Sequence, residues 1–334
     1  MFSKKIGVDL GTVNVLIAHN QQIVLQEPSM VALSVGEVEI VRAIGQDARD
    51  MWGRHPEGIE VMRPLRDGVI ADYEVTEAML RYFMRKINAR TVLRGPEVMI
   101  SVPYGVTSVE KRAVHEAAMQ AGARVAYLIS EPLAAAIGAG LPVTTPAGNM
   151  ILNMGGGVSE SAVMALGNVV VAHSARVGGQ RLDEGIINYV RRKYSLVIGE
   201  PTAESVKIQI GAAVEQPEDL TMEIQGRDQV SGLPRTISIT TGEVAEALQE
   251  TLALIAGVAK KVLADTPPEL ASDIIDRGIT LTGGIAMLRG IEQYITNETG
   301  VPAYRSDDPI VATAIGAMRA LNNPSLMRGN IQQV

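Results

Sequence analysis

Ile6-Gly7-Val8-Asp9-Leu10-Gly11-Thr12-Val13-Asn14-Val15-Leu16-Ile17-Ala18 is an apolar run that reaches a lone Asp, turns through Gly-Thr-x-Asn, and becomes apolar again. That pattern predicts strand, tight turn, strand. Gly11 has no Cβ, so backbone N–H groups can close on an anion there. Asp9, at the strand end, is placed to hold a divalent cation through water. An ordinary hairpin with Asp and Asn as turn formers explains this one stretch equally well.

A second copy separates the two explanations. Residues 150–166 read Met-Ile-Leu-Asn-Met-Gly-Gly-Gly-Val-Ser-Glu-Ser-Ala-Val-Met-Ala-Leu, again an apolar strand, a polar end (Asn153), a glycine turn (Gly155, Gly156, Gly157) and a second apolar strand. Two phosphate-type hairpins most of a domain apart predict a duplicated fold clasping one ligand between its halves. A third signal, Ile279-Thr280-Leu281-Thr282-Gly283-Gly284-Ile285-Ala286-Met287-Leu288, reads as strand, glycine pair, helix. It places backbone N–H groups and a helix start near another part of the ligand.

Composition bounds the rest. The 334 residues suit two domains. With 46% hydrophobic and 20% charged residues, a sizeable globular interior is expected rather than broad disorder. Aromatics are 3% of the chain, so the core must be aliphatic. A net charge of −7 argues against nucleic-acid partners. The lack of cysteine excludes disulfides and thiolate chemistry, and four scattered histidines argue against zinc. No apolar stretch approaches the ~18–20 residues of a transmembrane helix. Five residues before the first strand leave no room for a signal peptide, so a cytoplasmic location is expected.

Along the chain, short strands are expected within 21–45 and a short helix near 47–60, with Trp52 packing in a small subdomain. Apolar spacing at Val75, Met79, Phe83 and Ile87 predicts a helix over 74–88. Thr107 and Glu110, and again Thr240 and Glu243, are capping boxes opening helices that run to about 122 and 264. Pro132 suits the first turn of a helix from Glu131 to about Gly140. Helices are also expected over 183–194, over about 202–210, and from Asp308-Pro309 to about Leu321. In the second of these Glu204 and Lys207 share a face, at a spacing that also suits a plain surface salt bridge. Residues 220–240 read as short strands of a second small subdomain. Alternating strands and helices indicate an α/β architecture with mixed sheets.

At this point the chain resembles the MreB family of bacterial actin homologues over nearly its whole length. The resembling runs are 7–14, Arg66-Asp67-Gly68-Val69-Ile70-Ala71-Asp72, Glu131-Pro132-Leu133-Ala134-Ala135-Ala136-Ile137-Gly138-Ala139-Gly140-Leu141-Pro142, 187–192, 267–270 and 281–284. The hairpins alone indicate only the wider superfamily of actin, DnaK-type chaperones and sugar kinases; the 131–142 run narrows it. The resemblance implies an actin-like ATPase fold of two duplicated RNase H-like domains around a nucleotide cleft. Domain I would be 1–145 plus 306–334, with a small subdomain near 33–72. Domain II would be 146–305, with a small subdomain near 182–245.

The resemblance also implies ATP or ADP with Mg²⁺ in that cleft. Thr12, Val13 and Asn14 would contact the phosphates from one hairpin, and Gly155, Gly156 and Gly157 from the other. Glu204 and Lys207 would hold the ribose or adenine; Gly283, Gly284, Ile285, Ala286 and Met287 would line the adenine. Asp9 would hold Mg²⁺ through water, and Glu131 would orient the attacking water. The family usually reads Asp-x-Gly-Gly-Gly-Thr-Thr-Glu in the second hairpin. Asn153 and Val158 depart from it, as does Ile285 from a third glycine, which puts hydrolysis more in doubt than binding.

The implied function is a filament protein that determines cell shape and guides wall synthesis; the alternative is a monomeric phosphotransferase of the same superfamily. Implied partners are other copies of the chain in protofilaments and antiparallel pairs, the inner face of the cytoplasmic membrane, and transmembrane elongation-complex proteins of the RodZ, MreC and MreD type. Val109 and Arg112 are the candidates for antiparallel pairing. Val92 and Leu93, flanked by Arg90 and Arg94, are the candidate membrane loop.

Overall fold

The computed structural model describes residues 4–36, 40–87 and 95–323. Two five-stranded mixed sheets of one topology carry the fold. In the first, Lys5–Leu10 is central: it pairs antiparallel with Asn14–His19, which pairs with Gln22–Pro28. On its other side it runs parallel to Glu97–Val102, and that strand to Val125–Ser130. In the second, Asn149–Met154 takes the central place, with Ser159–Ala165 and Asn168–Ala175 antiparallel on one side. Ile279–Thr282 and Ala303–Arg305 follow in parallel on the other. The duplication expected from the two hairpins is therefore a duplication of whole sheets, with Asp9 and Asn153 one residue before the end of the two central strands.

Each sheet carries a smaller one. Val31–Ser34, Ile40–Ile44 and Ile59–Met62 form a three-stranded sheet beside the first. Leu196–Val197, Thr221–Asp228 and Pro234–Thr240 form another beside the second. The helices beside these small sheets, Gln46–Met51 and Glu200–Ile210, meet through Arg49 and Glu204.

The cores are aliphatic, as composition requires. Ile6, Val8, Ile17, Val98, Ile100 and Leu128 pack with Phe83 in the first domain. Met150, Leu152, Leu182, Ile186, Leu252 and Ile255 pack in the second. A third cluster, with Met99, Ile129 and Leu133 from one side and Ile151, Ala162 and Met164 from the other, joins the sheets through the helix Glu131–Gly138. That helix crosses Ala312–Leu321 at very short range. A Cβ on Gly138 would strike the Ala312 backbone, and one on Gly316 the Ala134 carbonyl. These two glycines let the helices touch backbone to backbone and fix the start of the first helix, where Glu131 sits.

The capping boxes are present at Thr107 and Thr240. Two helix starts differ from expectation. The helix expected over 183–194 begins at Gly179, because the Gly179 and Gln180 N–H groups donate to the Gly155 and Gly156 carbonyls at 3.0 and 2.9 Å. The last helix begins at Ala312 rather than Asp308. Pro309 O accepts the Gly283 N–H at 2.8 Å, so residues 308–311 form a turn pinned to the glycine loop first.

Candidate functional site

The tips of the two hairpins meet across the cleft. A Cβ on Gly156 would collide with the Val13 side chain, and one on Gly157 would lie 2.6 Å from Thr12 Oγ1. The turn at Asp67 and Gly68 seals the junction, with the Gly68 N–H donating to Thr12 Oγ1 at 2.9 Å. Val158 packs on the same turn, 2.7 Å from where a Gly68 Cβ would stand.

Below the tips lies a cavity of about 480 Å³, within the ~300–1,000 Å³ range of small-molecule sites. Asp9, Thr12, Val13, Asn14, Glu131, Asn153, Gly155, Gly156, Gly157, Val158, Glu204, Lys207, Gly283, Gly284, Ile285 and Met287 all line it. Ala286 does not. It sits in the single 3-10 turn Gly284–Met287, with its methyl fully buried in the domain II core. Gly283 adopts φ +83°, and a Cβ there would run into the Met154 backbone.

Glu204 and Lys207 do not pair with each other. Lys207 Nζ reaches the two Asp183 carboxylate oxygens at 2.7 and 2.8 Å and the Gly179 carbonyl at 3.0 Å. Glu204 accepts instead from Arg49 of the opposite domain. Burial raises Asp183 to about 6 against the opposing pull of Lys207.

The inner end of the cavity holds buried carboxyls. Burial raises Asp9 to about 6, with the Ser101 hydroxyl at 3.2 Å opposing the shift. Glu160 stands directly opposite Asn153 in the hairpin register and is fully buried. Its Oε1 accepts the Tyr104 backbone N–H at 2.6 Å, and its side-chain partners are the Ser174 hydroxyl and the Glu131 carboxyl. Burial raises Glu160 to about 7. Burial, then the Glu160 charge, then Asp9, push Glu131 well above the usual carboxyl range. Asn153 Oδ1 accepts the Thr282 hydroxyl at 3.1 Å.

Glu160, Asp183, Arg49 and Arg63 were not singled out from the sequence. Glu160 had a visible signal, since it matches the closing Glu of the family's second-hairpin pattern. Arg63 lines the cavity, stacks on Trp52 at 4.7 Å and has a buried Nε without a protein acceptor. Burial lowers its pKa against the nearby Glu204 and Glu200. Val109 and Arg112 lie far from this cavity on the helix Ser108–Gln120, both exposed, Val109 at 75%. Val92 and Leu93 fall outside the described residues.

Twin sheets of one topology, joined by a shared helix and with glycine hairpins meeting over one cleft, define an actin-like fold. Comparison with known proteins agrees and is narrower. The chain belongs to the MreB/Mbl family, whose family model matches residues 3–329. It is 46% identical over 324 residues to the cell shape-determining protein Mbl of Bacillus subtilis, covering 97% of both chains. It is likewise 46% identical over 336 residues to the cell shape-determining protein MreB of Escherichia coli, covering 99% of this chain and 97% of that one. Among solved structures, MreB5 of Spiroplasma citri bound to ADP superposes with TM-score 0.90 at 34% identity, covering 95% of this chain and 96% of that one. A MamK double helical filament superposes with TM-score 0.78 at 20% identity, covering 95% of this chain and 98% of that one, which speaks for the fold alone.

Proposed function

We propose that this chain is a nucleotide-dependent cytoskeletal protein. It binds ATP or ADP in the cleft, polymerises into filaments, and supports cell shape and the guidance of wall synthesis. The observation that carries the reading is the meeting of the two glycine hairpins over the 480 Å³ cavity. Glycine turns from both halves line that cavity, and the relatives superposing on this fold include one bound to ADP and one bound to AMPPNP. Mg²⁺ fits the donor set. Asp9 offers one carboxylate, and among the described residues no cluster of three or more acidic, His or Cys side chains is arranged for a metal. The ion would therefore take the phosphates and water as its remaining ligands, and its charge would neutralise the phosphate oxygens. Glu131 would hold the attacking water, and the first hairpin and glycine turn would hold the phosphates. With Asn153 and Val158 in place, hydrolysis is slow.

Self-association is the partner relationship best supported, through head-to-tail protofilaments and antiparallel pairs. Among the described residues no helix is long and apolar enough to cross a membrane. Membrane contact at the cytoplasmic face would be peripheral, through Val92 and Leu93, with elongation-complex proteins bound alongside. Sedimentation and electron microscopy with and without ATP test the reading. Nucleotide-dependent filaments are expected, and a chain that stays monomeric while phosphorylating small acceptors overturns it. A Val92→Ser, Leu93→Ser variant should pellet far less with anionic liposomes.

A further inference from the structure

The short helix Gln46–Met51 of the small sheet in domain I carries a side chain that leaves its own domain. Arg49 Nη2 donates to Glu204 Oε2 at 2.6 Å, across 155 residues of sequence and across the mouth of the cleft. The Glu204 carboxylate is 16% exposed and the Arg49 guanidinium side 38%. The other cations nearby make no direct bond to Glu204: Lys207 holds Asp183, and Arg63 stacks on Trp52 and acts on Glu204 only through its charge. Asp183 and Glu200 add negative charge around the same point.

We propose that Arg49 is a positioning residue of the nucleotide site, supplied by the opposite domain. It holds one oxygen of Glu204, aims the other at the ribose hydroxyls, and latches the cleft over the bound nucleotide. The proposal rests on the reading of the cleft as a nucleotide site. An ionised carboxylate has two oxygens and accepts from several donors at once. Charge-assisted bonds of this length are among the stronger ones and are directional. With Oε2 fixed by Arg49, Oε1 remains for a second donor, and Glu204 lines the cavity. Without Arg49, Glu204 would face Asp183 and Glu200 with only the more distant charge of Arg63 to offset them and no direct donor, and would turn toward water. The latch also ties the domains together at the point where the nucleotide must leave. Release then requires the pair to break as the cleft opens, as in other closing sites where opening limits release.

The test is dissociation of 1,N6-ethenoadenosine triphosphate, preloaded with Mg²⁺ and chased with excess ATP, from the wild-type chain, Arg49→Gln and Arg49→Lys. Arg49→Gln should release the probe ~10-fold faster, the scale of losing one charge-assisted bond. It should also lose preference for ATP over 2′-deoxy-ATP in competition, which a purely structural role for Arg49 would leave unchanged. Arg49→Lys should recover part of both effects. Arg49 is on the surface, so equal melting curves are expected for all three proteins. Tight probe binding with wild-type release and wild-type deoxy discrimination in Arg49→Gln would overturn the latch alone. A wild-type chain that does not bind the probe would overturn the nucleotide reading and the latch together.

Discussion

Asn153 faces Glu160 across the second hairpin, in register and buried. The Asn153 carbonyl oxygen is taken by Thr282, and one Glu160 oxygen by the Tyr104 N–H. What Asn153 has left is its amide nitrogen, a donor. The family commonly carries a carboxylate at that point, which would be a second acceptor for the cation's water shell. Of the two acids in the family's second-hairpin pattern, only Glu160 remains here.

Turnover should therefore respond to restoring the family residues. Losing one preorganised partner commonly costs ~2.7–4 kcal/mol in a transition state, roughly two to three decades in rate. Neighbouring losses need not add. An Asn153→Asp, Val158→Thr variant should release phosphate at least ~10-fold faster than the chain as it stands, and Glu131→Ala should abolish the gain. Equal rates in the two proteins would refute the account. Asn153→Asp also adds a carboxyl beside Glu131, Glu160 and Asp9, so the nucleotide-free variant should melt lower at pH 8 than its parent.

The acid cluster makes stability depend on pH in a definite direction. The folded state raises Glu160 from 4.5 to about 7 by burial, so it holds this proton more tightly than the unfolded chain does. Stability from this group is fully present below about pH 4.5 and is lost as pH rises through 7. Glu160→Gln cannot ionise and keeps an acceptor for the Tyr104 N–H. Without nucleotide it should melt higher than wild type at pH 8, with a much smaller difference at pH 5. A difference independent of pH, followed by calorimetry from pH 5 to 8, would contradict the burial of an ionisable group there.

The contact between the hairpins predicts a lesion confined to the cleft. Gly156→Ala drives a methyl into Val13, from the facing domain. Each sheet folds without this contact, so circular dichroism should be unchanged. Nucleotide affinity should fall at least ~10-fold because the phosphate donors are spread apart. A Val13→Gly, Gly156→Ala double variant makes room for the methyl and should recover part of the affinity. Failure of the double variant to improve on the single one would place the damage elsewhere.

The parts of this architecture legible in the sequence are those fixed by local chemistry. Glycine turns between apolar strands and the Thr107 and Thr240 boxes depend on residues within a few positions, and the structure has them. What was not legible depends on distant partners. The helix at Gly179 starts early because it donates to the glycine turn over 20 residues before it, and the last helix starts late because Pro309 is held by Gly283. Ala286 follows glycines in sequence as though it lined the ligand, yet the 3-10 turn rotates its methyl into the core. Arg49 looks like any surface arginine until Glu204 arrives from the other domain.

The filament surface gives the last prediction. Val109 is 75% exposed in the first turn of the helix Ser108–Gln120, and Arg112 is exposed one turn on. Spacing of i, i+3 puts both on one face. The capping box at Thr107 fixes the helix start, so the face is rigid before any partner arrives. If antiparallel protofilaments pair through this helix as proposed, a two-fold relation sets it against its own copy and Val109 of each copy enters the same contact. A carboxylate at 109 would then be placed near its own copy and lose apolar area as well. Val109→Glu should leave nucleotide binding and single protofilaments intact and abolish doublets in electron micrographs. Arg112→Glu should weaken doublets in the same direction. Unchanged doublets in Val109→Glu would remove this helix from the pairing surface.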